Sequence, residues 1–201
     1  MHNLGTEFFS QYIPLEKSSD EQRVHVYGAT YQRPRLVAAL EHCFERDLGD
    51  AIEIGCMGGK TSKLLAEVCQ RYGRTLVCVD PWMNMPGYEW IDFAAHYPVF
   101  LETVAPFIDS IQIIRLPSQD LDAITMIQER QYAFAFVDGD HAYEPALEDL
   151  RTVLPITTCA VASDDHRYDT QVQKANEQAA EEFPGWSFHA FADFREGWFL
   201  R

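Results

Sequence analysis

The chain has 201 residues, 47% hydrophobic and 23% charged, which suits one domain with a sizeable core. Its formal net charge of −15 repels phosphate backbones, so nucleic acid is not an expected partner. No apolar run is long enough to span a membrane, and Met1 to Ser10 hold neither a Lys or Arg nor an apolar stretch, so neither a membrane partner nor a secretory signal is expected. Residues 1–35 carry Phe8, Phe9, Tyr12, Tyr27 and Tyr31 without periodicity and read as an N-terminal cap or substrate-recognition segment. From there strand-like and helix-like runs alternate. Ala51–Ile54 is a short apolar strand that stops at Gly55. Thr61–Tyr72 is a helix with Leu64, Leu65 and Val68 at helical spacing, ended by Gly73. Thr75–Val79 is a second strand and runs into Asp80. Residues 81–110 break the rhythm; Trp82, Tyr88 and Trp90 there read either as an aromatic lid over a sugar or phenol or as anchors of a loop. Ile111–Ile114 is a third strand, Leu121–Glu129 a helix, and Tyr132–Val137 a fourth strand ending at Asp138. Pro145–Leu154 is a helix with Leu147, Leu150 and Leu154 on one face. Cys159–Ala162 is a fifth strand, ending at Asp164 and Asp165. A helix over Thr170–Phe183 follows, and Trp186–Phe191 with Gly197–Leu200 form a closing hairpin. This order predicts an α/β domain with a mostly parallel sheet, helices on both faces and an antiparallel end.

In parallel sheets ligands bind beyond the carboxyl ends of the strands, and here each such end carries polar chemistry. Beyond the first strand stand Glu53, Gly55 and Gly58-Gly59-Lys60-Thr61-Ser62; beyond the second, Asp80; beyond the third, Ser118-Gln119-Asp120. The fourth gives Asp138-Gly-Asp140-His141 and the fifth Asp164-Asp165-His166. The glycine loop is not a P-loop, because the position for its first glycine is Ile54. Nor do Gly55, Gly58 and Gly59 spell a dinucleotide fingerprint. Two readings remain: a loop that lets the backbone approach S-adenosylmethionine (SAM), or a tight turn that binds nothing. Asp80 favours the first, since a carboxylate ending the second strand suits ribose hydroxyls. The five cysteines form no Cys-x-x-Cys pair and read as reduced, packed thiols of a cytoplasmic protein.

With these residues in view, the chain resembles a class I SAM-dependent methyltransferase. Within that class it is similar to small metal-dependent O-methyltransferases of the macrocin and catechol types, over roughly residues 48–201. Glu53-Ile-Gly-Cys-Met-Gly-Gly59 stands at the family's acidic-glycine motif, Asp80 at its ribose position, and Ser118-Gln119-Asp120 at its adenine-side segment. Asp138-Gly-Asp-His-Ala-Tyr-Glu144 resembles the strand-four motif, and Asp164-Asp165 the second acidic site. The resemblance implies a Rossmann-like fold with a mostly parallel seven-stranded sheet and a C-terminal antiparallel hairpin, in a single domain over residues 1–201. It implies that Glu53, Gly55, Met57, Gly58, Gly59, Thr61, Ser62, Asp80, Ser118, Gln119 and Asp138 bind SAM. It also implies a homodimer. Pro155-Ile-Thr-Thr158 replaces the family's glycine-rich turn before the fifth strand, which leaves the register of Asp164 against Asp165 open.

Three hard oxygen donors, Asp138, Asp164 and Asp165, suit a divalent cation, magnesium first, and the resemblance assigns one there. The alternative is that they cap the turns that follow. The expected reaction is methyl transfer to a hydroxyl of a small molecule, the hydroxyl acidified by the cation and deprotonated by a base. The resemblance makes Asp140 that base, with His141 and His166 as alternatives. Two competing readings remain: a SAM-binding module without turnover, and a metal-dependent hydrolase or oxygenase built on Asp138, His141, Asp164 and His166.

Overall fold

The apolar runs form the strands β1 (Asp50–Ile54), β2 (Leu76–Val79), β3 (Ile111–Ile114), β4 (Tyr132–Val137), β5 (Thr157–Ser163), β6 (Ser187–Ala190) and β7 (Gly197–Leu200). The computed structural model describes residues 33–46, 49–85, 88–191 and 194–201, so the cap expected over residues 1–35 lies almost wholly outside the described residues. The helices are α1 (Pro34–Arg46), α2 (Lys60–Tyr72), α3 (His96–Val104), α4 (Leu121–Gln128), α5 (Tyr143–Val153) and α6 (Thr170–Glu182), with 3₁₀ turns at Ala105–Ser110 and Leu154–Ile156.

The sheet order is β3-β2-β1-β4-β5-β7-β6. β1 pairs in parallel with both β2 and β4, β2 with β3, and β4 with β5. β7 alone runs against its neighbours β5 and β6, as a hairpin without an intervening helix requires. Side chains alternate along each strand. Leu76 and Cys78 of β2 pack into one layer with Leu40 of α1, Leu65 of α2 and Phe100 of α3. Val77 and Val79 pack into the other with Ile127 of α4, Leu150 of α5 and Ala175 of α6. The sheet is therefore buried on both faces, and its polar residues are left at the strand ends.

Two helices were not delimited from the sequence. α1 opens with Pro34 at a position where no N–H is needed, and buries Leu36, Ala39, Leu40, Cys43 and Phe44 on one stripe. α3 lies inside the stretch read as loop and buries only Phe100 and Val104. At the other boundaries the reading held to within one or two residues, and α2 ends at Gly73, which takes φ 63° and donates its N–H to the last carbonyls. Among the described residues no helix is long and apolar enough to cross a membrane. All five cysteines are free, four of them buried.

The chain winds outward from β1 to β3 on one side and returns through β4 to the other. The break between β1 and β4 is the switch point where α/β sheets open a crevice.

Candidate active site

β1 leaves the sheet at Gly55 with φ 86°, and a Cβ there would fall 1.9 Å from the Asp138 carbonyl oxygen at the end of β4. Only glycine lets the two strand ends meet so closely. Asp80, at the end of β2, then ties the loop: Oδ2 accepts the N–H groups of Cys56 (2.9 Å) and Met57 (2.8 Å), and Oδ1 accepts that of Trp82 (2.7 Å). A carboxylate offers about four acceptor positions. Three are spent on the loop, which leaves one open toward the cavity. Trp82 is not a lid. It is 1% exposed, donates Nε1–H to the Met57 carbonyl (2.7 Å), and packs on Tyr97 and Phe100 beneath the loop. Trp90 is exposed, and Tyr88 donates its hydroxyl to Asp140 Oδ1 (3.2 Å).

Glu53 is buried in β1 with neither carboxyl oxygen in a hydrogen bond of good geometry. Burial, helped by nearby Asp138, pushes it up to about 8, while the buried Ser62 hydroxyl opposes the shift. The ligand atoms of Glu53, Cys56 and Cys78 lie within 4.8 Å of one another, the one such group among the described residues. Burial raises both thiols, and Cys56 Sγ contacts the carbonyls of Glu53 and Val79 at 3.8 and 3.7 Å. Their raised values keep them as protonated thiols packed in the core.

The acids of β4 and β5 meet two arginines that the sequence did not single out. Arg33 Nη2 lies 2.9 Å from Asp164 Oδ2 and 3.7 Å from Asp138 Oδ2, and Arg33 Nη1 lies 3.7 Å from Glu196. Arg195 reaches Asp164 Oδ2 at 2.9 Å and Asp165 Oδ1 at 2.6 Å. Burial pushes Asp164 up, but the two guanidiniums more than offset it and hold it below its usual range. Burial and the nearby Asp164 push Asp138 up to about 7, against His141 and Arg33. His141 stands between Asp138 (3.5 Å) and Asp165 (3.6 Å), and contact with Asp138 raises it despite its burial. Asp138, Asp164 and Asp165 thus do not converge on a shared point; guanidinium groups bridge them. That donor set does not fit a divalent cation as it stands. His166 is turned away, its Nδ1 2.9 Å from Asn176 Nδ2 and its ring against Phe188, so it joins neither the acids nor a two-histidine oxygenase set.

At the end of β3, Gln119 Nε2 donates to Ser118 Oγ (2.9 Å) and to Asp149 Oδ1 (2.8 Å). Asp149 is buried on α5, and burial pushes it up to about 7.

One cavity of about 990 Å³ connects these parts. Glu53, Gly55, Met57, Gly58, Thr61, Asp80, Ser118, Gln119, Asp138, Asp140, His141 and Asp165 all line it, as do Arg33 and Arg195. Gly59, Ser62 and Asp164 do not. Gly59 caps α2 with φ 79° against Phe100, Ser62 is fully buried, and Asp164 sits behind the arginines. Met83, Met85, Ile91, Phe93 and Val99 add an apolar wall. The volume is at the upper end for a small-molecule site, enough for a cofactor and a second molecule together.

A family model described as a methyltransferase domain matches residues 52–166, which holds every strand end described above except those of the hairpin. The chain belongs to this methyltransferase family. A search of curated proteins gave no match. Among solved structures, the methyltransferase is similar to CalS11, a TDP-rhamnose 3′-O-methyltransferase of calicheamicin biosynthesis, at 14% identity and TM-score 0.59 over 82% of this chain and 76% of that one. It is similar to an O-methyltransferase from Bacillus cereus bound to S-adenosylhomocysteine (SAH), at 16% identity and TM-score 0.55 over 87% and 84% of the two chains. It is also similar to TomG from Streptomyces achromogenes, bound to SAM, at 18% identity and TM-score 0.54 over 85% and 79%. At these identities the likeness is one of fold. The fold is the Rossmann-like methyltransferase fold that the resemblance implied, and the chain is a methyltransferase by its family.

Proposed function

We propose that the methyltransferase moves the methyl group of SAM to a hydroxyl of a small molecule such as a sugar, a phenol or a natural product. The observation that carries this reading is the single cavity, with the glycine loop and Asp80 at one end and Asp140 with His141 at the other. SAM supplies a methyl group made electrophilic by its sulfonium. The rest falls to the chain. Gly55 to Gly58 and Asp80 hold the nucleoside, and Ser118 with Gln119 receive its base. Asp140 Oδ1 is pinned by Tyr88 and by the Ala142 N–H (2.9 Å), which leaves Oδ2 to take the acceptor's hydroxyl proton. As that proton leaves, the oxygen bonds to the methyl carbon, the carbon–sulfur bond breaks, and SAH remains. His141, drawn toward its charged form by Asp138, lines the same end of the cavity beside Asp140.

No step is given to the divalent cation that the resemblance implies, because the carboxylates that would hold it are spent on Arg33 and Arg195. A magnesium-assisted route keeps one observation in its favour, three hard oxygen donors at neighbouring strand ends, and it requires both guanidiniums to move off.

The test is transfer of labelled methyl from SAM to panels of hydroxylated and amine acceptors. Hydroxylated acceptors are expected to be labelled, and Asp140→Asn to lower kcat by roughly 10²–10⁴-fold while SAH still raises the melting temperature. Labelling of amines alone sinks the oxygen assignment. SAH binding with no transfer to any acceptor makes the protein a binding module.

A further inference from the structure

We infer that Asp149 is a positioning residue that makes the methyltransferase select a 6-aminopurine cofactor, by fixing which end of the Gln119 amide faces the cavity. The inference rests on the reading that the base of SAM lies beside Ser118 and Gln119.

A primary amide can present either a donor or an acceptor: its NH₂ donates two hydrogens and its carbonyl accepts. In this structure both hydrogens are committed within the protein, one to Ser118 Oγ (2.9 Å) and one to Asp149 Oδ1 (2.8 Å). The carbonyl Oε1 is what remains for a ligand, and Gln119 lines the cavity. An ionised carboxylate only accepts, so the amide cannot turn over without setting Oε1 against Asp149 Oδ1. A fixed carbonyl matches the exocyclic amino group of adenine and opposes the 6-oxo group of hypoxanthine or guanine.

Asp149 serves both polar residues of this segment: hydrogen bonds from the Ser118 and Gln119 side chains oppose the rise that burial causes. It is 1% exposed, and its buried helix neighbours three and four residues away are Ala146, Thr152 and Val153. A buried carboxylate is costly where an apolar side chain would pack. Its Oδ2 makes no hydrogen bond. The Gly139 backbone closes over that oxygen so tightly that a Cβ would fall 2.7 Å from it. The loop bearing Asp138 and Asp140 thus shuts the carboxylate off from water and leaves Oδ1 to Gln119.

The experiment compares the dissociation constants of SAH and of its hypoxanthine counterpart for the native chain, Asp149→Asn and Gln119→Ala. It is run at pH 8.5, above the value of about 7 to which burial pushes Asp149, so that the carboxylate is ionised. The native chain is expected to prefer SAH by at least ~10-fold, the scale of one polar group matched against mismatched. Asp149→Asn, whose amide lets Gln119 settle either way round, is expected to bring that preference within ~3-fold, a change that a merely structural role does not produce. Gln119→Ala, at an exposed position, is expected to do the same, with its melting temperature read alongside because it takes a donor from buried Asp149. Equal weakening of both ligands in Asp149→Asn, or an intact preference in Gln119→Ala, overturns the inference and leaves the cofactor site standing. Failure of the native chain to bind SAH overturns the reading of the cavity as well.

Discussion

Glu53 carries its acid through β1 with no solvent and no hydrogen bond of good geometry, and burial raises it from 4.5 to about 8. An acid raised on folding keeps its proton longer in the folded state than in the unfolded one. The contribution of Glu53 is therefore fullest below pH 4.5 and falls as the pH rises toward 8, at up to about 1.4 kcal/mol per pH unit. Glu53→Gln removes that share of the slope and leaves those of Asp138 and Asp149. Its melting temperature is expected to match the native chain near pH 4.5 and to exceed it increasingly up to pH 8.5; a variant no more stable at pH 8.5 would mean that the ionised carboxylate is accommodated without loss. Asp80, Asp138, Asp140 and Asp165 were legible because each follows an apolar run, and the fold gathers strand ends. Arg33 and Arg195 were not, since an ion pair between residues far apart in the chain leaves no periodic trace. Asp149 left a fainter one: a charged residue three and four positions from the apolar Ala146 and Val153 on its helix.

At the scale of elements, β1 meets β4 through a residue without a side chain at each end, Gly49 against Tyr132 and Ala133 and Gly55 against Asp138. Gly55→Ala places a methyl group 1.9 Å from the Asp138 carbonyl and forces alanine to φ 86°. The expected loss exceeds about 1 kcal/mol, together with loss of the SAH-induced rise in melting temperature. Gly185→Ala, with nothing within 4 Å of the added carbon, is the control and should melt like the native chain. The strands were readable because each sits as an apolar run between polar strand ends, although β5 begins at Thr157, two residues before Cys159 where it was placed. α3 was not readable: Pro98 lies within its nine residues, and two buried side chains are too few to set a period. α1 carries a full stripe, but it begins directly after an aperiodic, aromatic-rich segment that masked its start.

For the whole molecule, a net charge of −15 makes cationic side chains scarce, yet two arginines are committed to the acid cluster. Methyl transfer is accordingly expected to survive a chelator within about twofold, with no saturable Mg²⁺ or Mn²⁺ binding by calorimetry. Activity lost on chelation and restored by Mg²⁺ would show that the guanidiniums yield to the metal.

The ladder that ends the sheet bears on how that cluster comes together. β6 precedes β7 in the chain yet lies outside it, and it touches the sheet only through β7. A lone two-stranded hairpin is marginal in water, so β6 and β7 dock as a pair, and β5 keeps an open edge until they do. Arg195 and Glu196 stand at the entrance of β7, which means that Asp164 gains its second guanidinium only at that docking. Pairings between distant segments form slowly. The strand ends of β1 to β4, which carry Asp80, Gln119 and Asp140, do not depend on that docking, so the ion pairs of Arg195 with Asp164 and Asp165 are expected to be completed last.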